Sequence, residues 1–176
     1  SMAVELIPYV PTNITVHLGP PDTPAENLTI PFSDYIKNVA SSEIYPTWPE
    51  EALRANIIAQ VSFALNRIYT EYYPSRGYPF NITASTSIDQ KFIKDRTIFQ
   101  NVSELVDELF TTYIRRQGFA EPLLAQFCNG TTSTCDGLSQ WGSEALAQQG
   151  YSYWEILQYY YGDNIELVTD AVVHDY

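Results

Sequence analysis

The sequence predicts an α+β fold, a single domain with a buried central helix, short strands and peripheral helices. Two observations predict it. From Asn56 to Asn66 the chain reads Asn-Ile-Ile-Ala-Gln-Val-Ser-Phe-Ala-Leu-Asn, without a single charge. A helix apolar nearly all round lies in the middle of its domain. Around it, short β-prone runs such as Asn13 to Leu18 and Ile165 to Val168 are interspersed with stretches of helical periodicity. A length of 176 residues, 45% of them hydrophobic, suits one domain with a real core.

Residues 1–26 hold Pro8, Pro11, Pro20, Pro21 and Pro24 and read as an extended lead-in whose alternating run at Asn13 to Leu18 adds an edge strand. A second short strand is expected over Asn27 to Pro31. Ser33 or Asp34 then caps a helix running toward Ser42. The central helix opens at Pro49-Glu50-Glu51, with proline at the start and acids in the first turn, and is expected to reach about Tyr72, before Pro74. On it, Asn56 and Gln60 sit four apart on one face, and buried polar groups need partners. A polar, irregular stretch follows to about Arg96. Ser103 to Gln117 reads as an amphipathic helix capped by Ser103 and closed by Gly118. Leu123 to Cys128 reads as a strand, Gly142 to Gln149 and Ser152 to Tyr161 as two helices, and Ile165 to Val168 as a last strand. Residues 27–168 form the working domain, and 169–176 read as the start of a linker.

Composition excludes several functions. The net charge of -12, from 21 acidic and 9 basic residues, repels nucleic acid and anionic membranes. No apolar run approaches the roughly 20 residues of a spanning helix. There is no phosphate loop and no nucleophile elbow. The histidines, His17 and His174, lie in a strand and in the tail, where neither suits a nucleophilic triad. Cys128 and Cys135 lack a nearby histidine, so a disulfide or two quiet thiols is favoured over a metal site.

Carboxylate chemistry remains. Glu43 has Ile44, Tyr45 and Trp48 close by, in a connector stiffened by Pro46 and Pro49. An acid beside apolar groups has the raised pKa that protonating a leaving oxygen requires. Asp89 and Asp136 are loop acids. Gly137-Leu138-Ser139-Gln140-Trp141-Gly142 opens a helix with neutral donors and acceptors, and its glycines permit close backbone approach to a ligand. The 14 tyrosines and 3 tryptophans suit the faces of sugars.

Two blocks carry a resemblance. Ile30 to Val39, then Glu43, then Trp48-Pro49-Glu50-Glu51-Ala52-Leu53-Arg54-Ala55 resembles the opening signature of the stage II sporulation protein D family. Gly137 to Gly142, with Ala145-Leu146-Ala147, Gly150, Ser152, Glu155-Ile156-Leu157 and Tyr159-Tyr160-Tyr161, resembles its closing signature. The wording of Ser41 to Glu50 is most similar to the clostridial spore cortex-lytic enzymes. The resemblance covers about residues 27 to 168.

It implies a peptidoglycan lytic transglycosylase with Glu43 as its single catalytic acid. The product is a 1,6-anhydromuramyl end, and the setting spore cortex lysis, germination, sporulation or cell-wall remodelling. The alternatives are a glycan-binding module or amidase enhancer, and a muramidase-type hydrolase with a second carboxylate. The implied substrate-binding residues are Tyr45, Trp48, Asn56, Gln60, Gln90, Ser139, Gln140 and Trp141. Asp89-Gln90-Lys91-Phe92 resembles a further family element that puts Gln90 near the site. The implied partner is the peptidoglycan glycan strand, with a peptidoglycan-binding domain linked in the same polypeptide, and the place extracytoplasmic, in the spore cortex or coat or the cell wall. The chain departs from the family at Val61, where the family has Arg, and at Cys128, where it has His. Some relatives bind zinc there; here no cofactor is expected, zinc being the minor alternative.

Overall fold

The computed structural model describes residues 7–175, and its elements are arranged around one helix. That helix, α2 (Glu50–Tyr69), is buried without a break from Ala55 to Ile68. Pro49 precedes it in an extended conformation, and Glu50 and Glu51 face the positive end of its dipole. It stops at Tyr69, short of the expected Tyr72. Thr70 turns its hydroxyl back to the Asn66 carbonyl, 2.8 Å away, and Glu71 takes a left-handed φ of 49°. A 3-10 turn, Pro74–Arg76, follows.

The N-terminal strands β1 (Val10–Pro11), β2 (Asn13–His17) and β3 (Asn27–Pro31) lead into α1 (Phe32–Glu43). No side chain caps α1, contrary to the expectation for Ser33 or Asp34. The Phe32 amide instead donates to the Thr12 carbonyl at 2.9 Å, so the bend between β1 and β2 supplies the acceptor. Nor is β2 an edge strand. It pairs antiparallel with β3 and parallel with β4 (Ile82–Thr83), which makes it the middle of three. A two-residue strand carries too little pattern to announce itself.

The largest correction concerns the expected Ser103–Gln117 helix. It is α3 (Gln100–Leu109), with Phe99 rather than Ser103 at its N-terminal boundary, followed by a separate strand, β5 (Tyr113–Arg116). The Ile114 amide donates to the Ser62 hydroxyl of α2 at 2.9 Å. Arg115 pairs with Glu166 across the antiparallel ladder to β8 (Ile165–Val168). These distant partners override a local pattern that fits a helix.

The remaining elements are β6 (Phe127–Cys128), shorter than the expected strand from Leu123, β7 (Leu138–Ser139), α4 (Gln140–Gln148), α5 (Tyr153–Tyr161) and β9 (Val173–His174). β6 and β7 run parallel, and β9 pairs with β1, so residues 173–174 lie against the start of the described chain. α4 starts at Gln140 rather than Gly142, because the Ser139 hydroxyl caps it by accepting from the Gly142 amide. Ser152 and Glu155 form a reciprocal capping box at α5.

One buried cluster fixes the segment that follows β4. Asp89 accepts from the Arg67 guanidinium at 2.8 Å, from the Tyr73 hydroxyl, and from the Thr83 amide and hydroxyl at 3.0 and 2.6 Å. This carboxylate is fully enclosed, and the Arg67 side chain is 9% exposed. Removing one charge of a buried pair leaves the other unmatched. Asp89→Asn is therefore expected to lower unfolding stability by about 3–5 kcal/mol, read by urea denaturation.

Candidate active site

α1 ends beside a cleft of about 700 Å³, and Glu43, its last residue, lines it. The Glu43 carboxylate has two donors. Its Oε1 accepts the Lys91 backbone amide at 2.9 Å, and its Oε2 accepts the Gln140 side-chain amide at 2.8 Å. Burial raises the carboxyl's pKa above its usual range. The Gln140 and Lys91 hydrogen bonds and the Lys91 charge pull the other way without cancelling it.

Each donor is tied to α2 by a buried amide. Asn56 donates to the Ser143 hydroxyl at 2.8 Å, and that hydroxyl donates to the Gln140 carbonyl at 2.6 Å. The first turn of α4 is thereby tied to α2, and Gln140 is aimed at Glu43. On the other side, Gln90 donates to the Gln60 carbonyl at 3.0 Å and accepts the Tyr35 hydroxyl at 2.8 Å. That locks the residue before Lys91. Positions 56 and 60, one helical turn apart, anchor both arms.

The segment 91–99 has no regular secondary structure, and α1 holds it by side chains. Asn38 bonds both the amide and the carbonyl of Ile93, at 3.0 and 2.7 Å. The Phe99 amide donates to the Ser41 hydroxyl at 3.4 Å, and Arg96 donates to the Ser42 hydroxyl at 3.3 Å. These three α1 residues were not singled out in the sequence. Their signal is a polar stripe at i, i+3 and i+4 on a helix whose other inward residues are apolar.

Two further walls close the cleft. Tyr45, Trp48 and Trp141 form an aromatic cluster with ring centroids 5.0–5.8 Å apart. Tyr45 and Trp141 are 56% and 41% exposed, so their faces are free to stack on a ligand, while Trp48 is buried beneath them. Opposite in sequence is the loop closed by the Cys128–Cys135 disulfide, which lines the cleft through both cysteines, Asn129, Ser133 and Thr134. The Trp141 amide donates to the Asn129 carbonyl at 3.1 Å, joining this loop to α4.

The expected site residues thus divide into two groups. Glu43, Tyr45, Trp48, Gln140 and Trp141 line the cleft. Asn56, Gln60 and Gln90 are buried behind it, at 1%, 1% and 0% exposure, and do not line it. Asn56 and Gln90 therefore act as supports, not as contacts. The Gln60 side-chain amide has no hydrogen-bond partner among the described residues. Ser139 caps α4. The two glycines of its segment serve the protein's own packing rather than a ligand's approach. A Cβ on Gly137 would lie 1.9 Å from the Gln126 carbonyl oxygen, and one on Gly142 2.0 Å from the Tyr160 hydroxyl.

A zinc ion does not fit these residues. Both sulfurs are consumed in the disulfide, and no group of three or more His, Cys, Asp or Glu side chains converges among the described residues. No helix among them is long and apolar enough to cross a membrane.

A family model described as "SpoIID: Stage II sporulation protein" matches residues 25–111, about half of the chain. The match spans α1 with Glu43, α2 and the 91–99 segment, and ends before the segment that carries Gln140. No curated protein matches the chain.

The raised Glu43 pKa has a stability consequence. Protons bind Glu43 more tightly in the folded than in the unfolded state. The carboxyl group's contribution is complete below the unfolded value near ~4.3 and is lost as pH rises through the folded value. Glu43→Gln, which keeps shape and hydrogen bonding without charge, is expected to melt at or above the wild-type temperature at pH 7. That advantage should vanish below about pH 4; thermal melts across pH 3–8 check it. For the supporting arm, Asn56→Leu removes the donor to Ser143 and is expected to cost about 1–3 kcal/mol. It should also raise the Glu43 titration midpoint further by loosening Gln140. Carboxyl-carbon NMR reads that midpoint, and an unmoved one would refute the positioning role of Asn56.

Proposed function

Since residues 25–111 place the chain in the stage II sporulation protein (SpoIID) family, with its sporulation-related role in the cell wall and its association with peptidoglycan degradation, we propose that the protein is a lytic transglycosylase. It cleaves the β-1,4 bond between N-acetylmuramic acid and N-acetylglucosamine without water. The observation that carries this reading is a cleft carboxyl group with no bonded cation, its pKa raised by burial, beside an exposed aromatic wall.

Glu43 in its protonated form donates to the glycosidic oxygen as the bond to C1 of the muramyl residue breaks. The resulting carboxylate then takes the proton of the muramyl 6-hydroxyl, whose oxygen attacks C1 and closes the 1,6-anhydro ring. The proton returns to Glu43, so one group serves as acid and base in turn. Each Glu43 oxygen accepts one bond from Lys91 or Gln140 and keeps a lone pair for the substrate. Tyr45 and Trp141 stack on sugar faces.

A hydrolase requires a second carboxylate free to activate water or attack C1. Asp89 lines the cleft, but its oxygens are engaged by Arg67, Tyr73 and Thr83. Asp136 is exposed and outside the cleft lining. This supports the anhydro product over the hydrolytic one. The substrate is the glycan strand of spore cortex or cell wall, outside the cytoplasm, reached with the help of a peptidoglycan-binding domain linked in the same polypeptide.

Digestion of purified sacculi and spore cortex, with mass analysis of the fragments, tests the reading. Anhydromuramyl ends are expected from the wild type and absent with Glu43→Gln, a loss of at least about 100-fold. Reducing ends in their place would identify a muramidase-type hydrolase. Binding without cleavage would identify an amidase enhancer or glycan-binding module. The rate should also fall as pH rises through the elevated Glu43 pKa, because the acid form is the one that donates.

A further inference from the structure

The charge balance of the cleft runs against that of the molecule. The whole chain carries -12, yet the charged residues lining the cleft are Glu43, Asp89, Lys91 and Arg96. Asp89 is matched by Arg67 behind it. Lys91 and Arg96 have no carboxylate within ion-pair distance among the described residues, whereas five of the nine basic side chains do. The other two basic side chains, Arg76 and Arg116, are bonded to backbone carbonyls, of Tyr72 and Tyr161. The two cations without a counter-ion thus both line the cleft that holds the acid.

Arg96 is held in place rather than left to sweep solvent. Its Nε donates to the Thr97 carbonyl at 3.2 Å and its Nη1 to the Ser42 hydroxyl at 3.3 Å. Its guanidinium lies 5.6 Å from the centre of the Phe99 ring. Phe99 is itself pinned through its amide to Ser41. Ser42 immediately precedes Glu43, and Arg96 lines the same cleft as the acid. Lys91 stands there too, because its own amide is bonded to Glu43 while its side chain is exposed. A pre-set guanidinium and an exposed ammonium in one cleft are suited to a carboxylate.

We propose that Arg96 and Lys91 form an anion subsite beside Glu43 that takes a carboxylate carried by the muramyl residue, and so separates muramyl glycans from neutral ones. The inference rests on the peptidoglycan reading above, in which the muramyl ring is the one cleaved. The chemistry it requires is a carboxylate on the 3-O-lactyl arm of that ring, either the lactyl acid itself or an acid of the peptide attached to it. Neutral N-acetylglucosamine polymers lack both.

Titration calorimetry on the chain carrying Glu43→Gln, which leaves ligands uncut, tests the subsite. The probes are an N-acetylglucosamine oligomer and muramyl saccharides of equal length bearing a free lactyl acid, its methylamide, or a lactyl-linked Ala-Glu dipeptide. An acid-bearing ligand is expected to bind about three- to tenfold tighter than the methylamide at low salt, with the preference shrinking as salt rises. Preference for the free lactyl acid identifies the lactyl arm, and preference for the dipeptide alone identifies the stem. Adding Arg96→Gln and Lys91→Gln together should abolish the preference, and Arg96→Gln alone should halve it or more. Circular dichroism establishes that each variant is folded. If acid and methylamide bind equally, or the preference survives the double substitution, the subsite is refuted while the glycan reading stands. If no saccharide binds, both fall.

Discussion

A half-buried carboxyl group at the cleft, with two neutral donors and no bonded cation, is the constraint on which the arrangement of this protein depends. Burial disfavours the charged form of Glu43, and the Gln140 side chain, the Lys91 amide and the Lys91 charge offset it in part. Such a balance survives only where the donors cannot drift. Both are therefore referenced to α2, through Asn56 and Ser143 on one side and Gln90 on the other. The burial of α2 from Ala55 to Ile68 is what makes it a fixed reference.

The cleft holds a second acid with a different assignment, and the contrast explains both. Asp89 takes an ion pair and three further hydrogen bonds, so its oxygens are spent on structure. Glu43 takes two bonds and faces the cavity. The same segment serves both acids, since Asp89 pins its start and the Lys91 amide two residues later meets Glu43. Local structure here carries stability into function. A buried charge network fixes a stretch without regular secondary structure, and that stretch delivers one amide to the acid. The α1 stripe of Asn38, Ser41 and Ser42 finishes the job by gripping residues 93–99.

The aromatic wall and the disulfide loop come from opposite sides of Gln140. Trp141 follows it and joins Tyr45 and Trp48, while the Cys128–Cys135 loop precedes it and is bonded to Trp141 through Asn129. A single helix start thus sets the acid's partner and two walls of the cleft. The capping hydroxyl of Ser139 has more consequence than its exposure suggests, because it decides that the helix begins at Gln140 and not at Gly142.

The sequence by itself determined the α+β class, the buried helix, and Glu43 as the acid with apolar neighbours. Each of these is written locally, as a charge-free helical run or as adjacent aromatic and proline residues. It also brought Tyr45, Trp48, Gln140 and Trp141 to notice, through their own chemistry and through the resemblance of two blocks. Only the tertiary structure decided which polar residues touch the cleft and which stand behind it. Asn56, Gln60 and Gln90 read as binding residues because a buried amide and a ligand-facing amide look alike in one dimension. The Tyr113–Arg116 strand was hidden for the same reason, since its partner lies some fifty residues away at Ile165–Val168. Arg96 gave no signal at all. Its place in the cleft depends on a hydrogen bond to Ser42, and contacts between distant segments leave no trace in local periodicity or composition.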